Sequence, residues 1–140
     1  MNYVDIYKTI LIAIKENNCS DFNELLKVIS NEKSVIELRK KINDENSIAY
    51  LSDVLVEQIN SGLVKGTYVP ILDLNSPTNL LFNIERLSPT GYMYLEEVSK
   101  ASFWDKFKAH AKENGISPTP DNITKFIANA LWDWFKRIAN

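Results

Sequence analysis

Residues 48–98 constrain this chain more than any other stretch. Ile48, Leu51, Leu55 and Ile59, with Val54 beside them, repeat at helical spacing and run into Ser61-Gly62. Gly62 suits the left-handed residue that closes a helix, and Leu63 is placed to fold back on the last turn. Two runs rich in β-branched and aromatic residues follow, 63–72 and 79–87, joined by the turn-forming "DLNSPTN". Pro70 has no backbone donor, so its N–H side should meet solvent or a bulge. Ser88 and Pro89 then open a new helix as cap and first helical residue, with Leu95, Val98 and Tyr94 turned inward. A helix, a two-stranded hairpin and a helix in this order predict a winged helix. The helix before the hairpin would be its recognition helix and the turn its wing.

The flanking sequence predicts further helices. Over 3–16, Tyr3, Tyr7, Ile10 and Ile14 form a stripe widened by Val4 and Leu11. Ile6, Ile12 and Ala13 extend it around the helix, which predicts burial on more than one side. Over 21–29, Phe22, Leu25, Leu26 and Ile29 share a face, with Ser20 or Asp21 as cap and Glu24 placed for a return bond to the backbone. Over 34–42, Val35, Leu38 and Ile42 are in register. A helix is expected from about 102 to 113, with Phe103, Trp104, Phe107 and Ala111 on its apolar side, and a last one from about 120 through "FIANALWDWFKRI". The expected fold class is α+β and mainly helical: a winged-helix domain with flanking helices over 1–113, and a C-terminal amphipathic helix over 119–140.

Composition removes several classes of function. At 140 residues the chain can bury a core without staples, and its single cysteine, Cys19, excludes an internal disulfide framework. The first residues lack the basic region of a signal peptide, and no apolar run approaches the roughly 20 residues that span a membrane. The expected location is therefore the cytoplasm. No Walker, Rossmann or G-x-S-x-G pattern occurs. His110 stands alone among lysines, and the adjacent Glu96 and Glu97 point to different sides of a helix. No catalytic, metal or cofactor site is expected, and the chain is read as non-enzymatic.

Leu63-Val64-Lys65-Gly66, then Leu87, Ser88, Gly91, Tyr92, Tyr94 and Leu95, then Trp104 and Lys108, carry a further pattern. Here the chain resembles the YjcQ-like proteins, a bacterial and phage family of unknown function. These share an L-I/V-x-G start to the hairpin, an L-T-x-x-G-H-x-F-L motif and a W-x-x-x-K segment. Two positions depart from the motif: Ser88 replaces Thr, a like-for-like cap, and Tyr92 replaces His, which removes the one side chain that titrates near neutrality. The resemblance covers the central half of the chain. It implies a winged-helix fold and residence on prophages or mobile elements, and it supplies no activity.

Charge decides between the remaining functions. Residues 1–62 hold 7 Lys/Arg against 10 Asp/Glu, residues 63–99 hold 2 against 4, and residues 100–140 hold 7 against 4. Phosphate contacts supply most of the affinity for DNA and require positive charge. Yet no Lys or Arg lies between Ile42 and Leu63. The outward positions of the helix before the hairpin are expected to be Asp44, Glu45, Asp53 and Glu57, with Asn46, Ser47, Gln58 and Asn60 as their polar neighbours. Asp53, Glu57 and Tyr50 are thus the candidate contacts to a basic protein partner. The alternative is a dimeric DNA-binding regulator using Arg39, Lys40, Lys41, Lys65 and Arg86, although the first three also match the dipole of a helix end. The C-terminal stripe is wider than one face of a small domain needs. Phe126, Trp132, Trp134 and Phe135 there would either complete the core or form a homodimer seam.

Overall fold

A computed structural model describes residues 3–71, 79–100, 102–117, 119, 122, 123, 125, 126 and 129. Their elements run α1 (Tyr3–Glu16), α2 (Phe22–Ile29), α3 (Lys33–Ile42), α4 (Asp44–Asn60), β1 (Val64–Pro70), β2 (Leu80–Leu87), α5 (Pro89–Val98) and α6 (Phe103–Asn114). The fold is α+β and mainly helical, with one two-stranded antiparallel sheet among the described residues. No described helix is long and apolar enough to cross a membrane.

Helix α1 is the centre of the packing and touches α2, α3, α4, α5 and β2. Its buried residues, Val4, Ile6, Tyr7, Ile10, Leu11, Ala13 and Ile14, reach around the helix as their spread in the sequence requires. At the start of α2 the Asp21 carboxylate accepts the Glu24 N–H at 2.8 Å, while the Glu24 carboxylate accepts the Ser20 N–H at 2.7 Å. Asp21 is therefore the cap and not the first helical residue. Cys19 beside it is buried, and desolvation, then Glu24 and Asp21, raise its thiol above the ordinary range. A single residue, Asn43, joins α3 to α4 with φ of 73° and ψ of 172°. This combination of positive φ and extended ψ is one that only glycine adopts freely, and the Asn43 Oδ1 caps α4 there by accepting the Asn46 N–H at 2.9 Å.

Helix α4 turns its apolar stripe differently from the expectation. Leu51, Val54 and Leu55 are buried, but Ile48 and Ile59 are only half-buried. Ser47, Ser52 and Gln58 go inward, at 1%, 4% and 0% exposure, which corrects the outward placement of Ser47 and Gln58. The buried face is centred between Leu51 and Leu55, and on a helix that direction carries Ser47 and Gln58 with it. The Ser47 hydroxyl is satisfied by the Asn43 carbonyl. The Gln58 amide fares worse. Its Nε2 donates to the Tyr7 carbonyl at a long 3.4 Å, and its Oε1 finds no donor among the described residues. Gln58→Met should therefore raise stability by about 1 kcal/mol in urea unfolding, because a costly buried acceptor is replaced by a flexible apolar chain.

The end of α4 is tied to the hairpin and to α5 by one set of bonds. Gly62 at φ 78° lets its own N–H reach the Ile59 carbonyl at 3.0 Å and the Leu63 N–H reach that of Gln58 at 2.8 Å. Leu63 is then fully buried. The Ser88 N–H and hydroxyl both donate to the Leu63 carbonyl, at 2.9 Å each, and Ser88 Oγ accepts the Gly91 N–H at 2.9 Å. Between these ends, β1 and β2 pair from Val64↔Leu87 to Pro70↔Leu80, with Glu85 as the extra residue of a bulge opposite Lys65 and Gly66. Val64, Phe82, Ile84 and Leu87 face the core. Of the expected wing tip, 73–79, all but Asn79 lies outside the described residues.

Candidate functional site

The surface that the sequence singles out is the outer side of α4. Asp44 and Glu45 in its first turn match the helix dipole. Glu45, Asn46, Ala49, Asp53 and Asn60 are exposed, and Tyr50, Val56 and Glu57 are half-buried. Glu45, Ala49, Asp53 and Glu57 follow one another at i, i+4 spacing, so the carboxylates climb one side of the helix. Asp44 does not belong with them, because Arg39 Nε donates to its Oδ1 at 2.9 Å. That bond raises the Arg39 guanidinium further.

Partial burial lifts the Asp53 carboxyl above the usual carboxylate range. A raised folded pKa means that the ionised form is disfavoured by folding. The associated stability is present below the unfolded value, near 3.9, and is lost as pH rises through the folded value. Asp53→Asn should therefore melt above the wild type at pH 7 and together with it below about pH 3, as thermal scans at both values would show.

Tyr50 leads from this side of α4 into a run of rings. Its ring centroid lies 5.8 Å from that of Tyr3, which lies 6.1 Å from Trp104, which in turn stacks on Phe107 at 5.5 Å and 19°. Burial, with a smaller contribution from Tyr3, raises the Tyr50 hydroxyl far above the ordinary tyrosine range. Two ammonium groups sit over these rings: Lys41 Nζ at 5.1 Å from the Tyr3 centroid and Lys108 Nζ at 5.8 Å from Trp104. Sequence spacing does not reveal this group, since it is assembled from the starts of α1 and α6, the end of α3 and the middle of α4. In the sequence Tyr3 reads as a core position, and Trp104 as a core position that also belongs to the W-x-x-x-K segment.

The five basic residues of the DNA reading fall into two groups. Arg39 is bonded to Asp44, Lys41 lies over Tyr3, and Lys40 is exposed beside them at the end of α3. Lys65 and Arg86 are cross-strand partners on the outer side of the hairpin, and Lys65 meets Glu85 at 3.9 Å. Thr67, Val69, Leu81 and Asn83 continue that outer side, with Val69 and Leu81 at 52% and 56% exposure.

Of the expected dimer seam, Phe126 is half-buried and stands edge-on to Phe103 and Phe107, each at 5.4 Å, with His110 at 5.1 Å. Ile123 beside it is fully buried. Phe126 thus packs against α6. Trp132, Trp134 and Phe135 lie outside the described residues.

The motif residues have structural work of their own. Leu87, Gly91, Tyr94 and Leu95 are buried at the α4–α5 junction, while Tyr92 is 49% exposed with Lys15 over its ring at 5.8 Å. No family model, curated protein or solved structure matches the chain.

Proposed function

We propose that this chain is a non-enzymatic winged-helix interaction module, cytoplasmic and carried on a phage or mobile element, whose α4 meets a basic protein surface. The observation that carries the reading is the composition of the outer side of α4. It offers Glu45, Asp53 and Glu57 and no Lys or Arg from Asn43 to Leu63. A major groove would repel that helix, whereas a basic protein would be drawn to it. The winged-helix reading is supported by the order α4–β1–β2–α5 and by the loop before α2. There the Ser20 carbonyl accepts the Ile84 N–H at 2.9 Å, at the free edge of β2 where a third strand would pair. The motif resemblance supports it as well, and a reducing compartment suits the one buried thiol of Cys19.

A second reading, duplex DNA bound through the hairpin, is favoured by the paired Lys65 and Arg86. Fluorescence anisotropy with random duplex DNA at low ionic strength separates the two. The wild type should show no binding that steepens as salt falls. Salt-dependent binding that is lost in Lys65→Ala/Arg86→Ala would instead establish the hairpin as a nucleic-acid contact.

A further inference from the structure

We propose that the basic surface met by α4 is on a second copy of this chain, in a two-fold dimer centred on the Tyr50, Tyr3 and Trp104 rings. This rests on the reading of α4 given above and names its partner.

The argument is one of sign and order along a single strip. Asp53 and Glu57 follow Tyr50 by about one and two turns on the same side of α4. From Tyr50 the rings run to Tyr3 at 5.8 Å and on to Trp104 at 6.1 Å. Lys41 and Lys108 lie over the Tyr3 and Trp104 rings. The strip is therefore acidic at one end, aromatic in the middle and basic at the other. A polyanion suits only the basic end, and a uniformly basic protein suits only the acidic end. A surface of the same mixed pattern suits both, and the chain itself supplies one. Rotated by a two-fold, the acidic end of one copy meets the basic end of the other, while like rings meet near the axis.

The residue types also fit. Half-buried Tyr and Trp anchor interfaces, and charges at the ends set register. Lys108 is free to exchange partners, since its bond to Asp105 at 3.5 Å joins two side chains that are 57% and 77% exposed. Lys41 is held by a ring face alone among the described contacts.

Sedimentation equilibrium of the full chain over a range of salt tests the proposal. The wild type should form a dimer that weakens as salt rises. Asp53→Lys/Glu57→Lys and Lys41→Glu/Lys108→Glu should each weaken it by about tenfold or more, with circular dichroism unchanged. Mixing the two variants should restore a dimer, because each then supplies the charges that the other has lost. A wild type that stays monomeric at its highest soluble concentration would overturn the proposal. So would a dimer indifferent to both reversals, or folded variants that fail to pair when mixed. If the wild type is monomeric but reversal on α4 still abolishes capture of another protein, only the second copy is wrong. If reversal on α4 alters neither, the reading of α4 falls as well.

Discussion

Gly91→Ala should cost this protein about 3 kcal/mol or more, a large part of the stability of a domain this size, read as a shift of the urea midpoint. A Cβ at this position would collide with the carbonyl oxygen of Leu63 and stand 2.9 Å from Leu87 Cγ. The first obstacle is backbone and cannot rotate away. Relief requires α5 to lift from the end of α4, which breaks the two bonds from Ser88 to the Leu63 carbonyl. Gly62→Ala is the control. Its Cβ would meet nothing within 4 Å, so only the positive φ of 78° is penalised, by about 1 kcal/mol. If the two substitutions cost the same, the close approach of α5 to Leu63 is not as described.

Leu63→Ala is the second large effect, at about 3 kcal/mol. Leu63 is 0% exposed and sits where α4 turns into β1 and where α5 begins, so three elements lose packing at once. Thermal unfolding should remain a single transition at a lower midpoint. Early loss of the hairpin with the helices intact would show instead that α1 holds the helical part without this junction.

These two positions explain what was legible in the sequence. Gly62, Leu63, Ser88 and Pro89 are local devices, in which a helix end and a cap are encoded within a few residues, whereas the close approach of Gly91 to the Leu63 carbonyl joins positions far apart in the chain. The order of elements followed from the local devices, and the bounds of helices α1 to α6 moved by no more than about one residue. The direction of the buried face of α4 was not legible in the same way. Ser47 and Gln58 read as outward because they are polar, yet the packing of α4 on α1, α3 and β1 turned them in. Polarity gives a preference for water, and the neighbouring elements decide which side of a helix is covered.

The candidate site divides along the same line. Asp53 and Glu57 could be named from charge alone, since the absence of Lys and Arg along α4 is a property of the sequence. Tyr50 stands beside them one turn away. Its contact with Tyr3, and through Tyr3 with Trp104 and the two lysines, joins elements that are distant in the chain. No periodicity reports such a meeting. Arg39 shows the converse: it looked available for phosphate, but the short α3–α4 junction places Asp44 within 2.9 Å of its Nε.

Affinity capture from a cytoplasmic extract with the wild type and with Asp53→Lys/Glu57→Lys side by side tests most directly that α4 is a protein-binding face. Protein retained by the wild type, including the chain's own untagged copies, should be lost from the reversed form while circular dichroism shows both folded. Equal retention by the two forms would contradict the account.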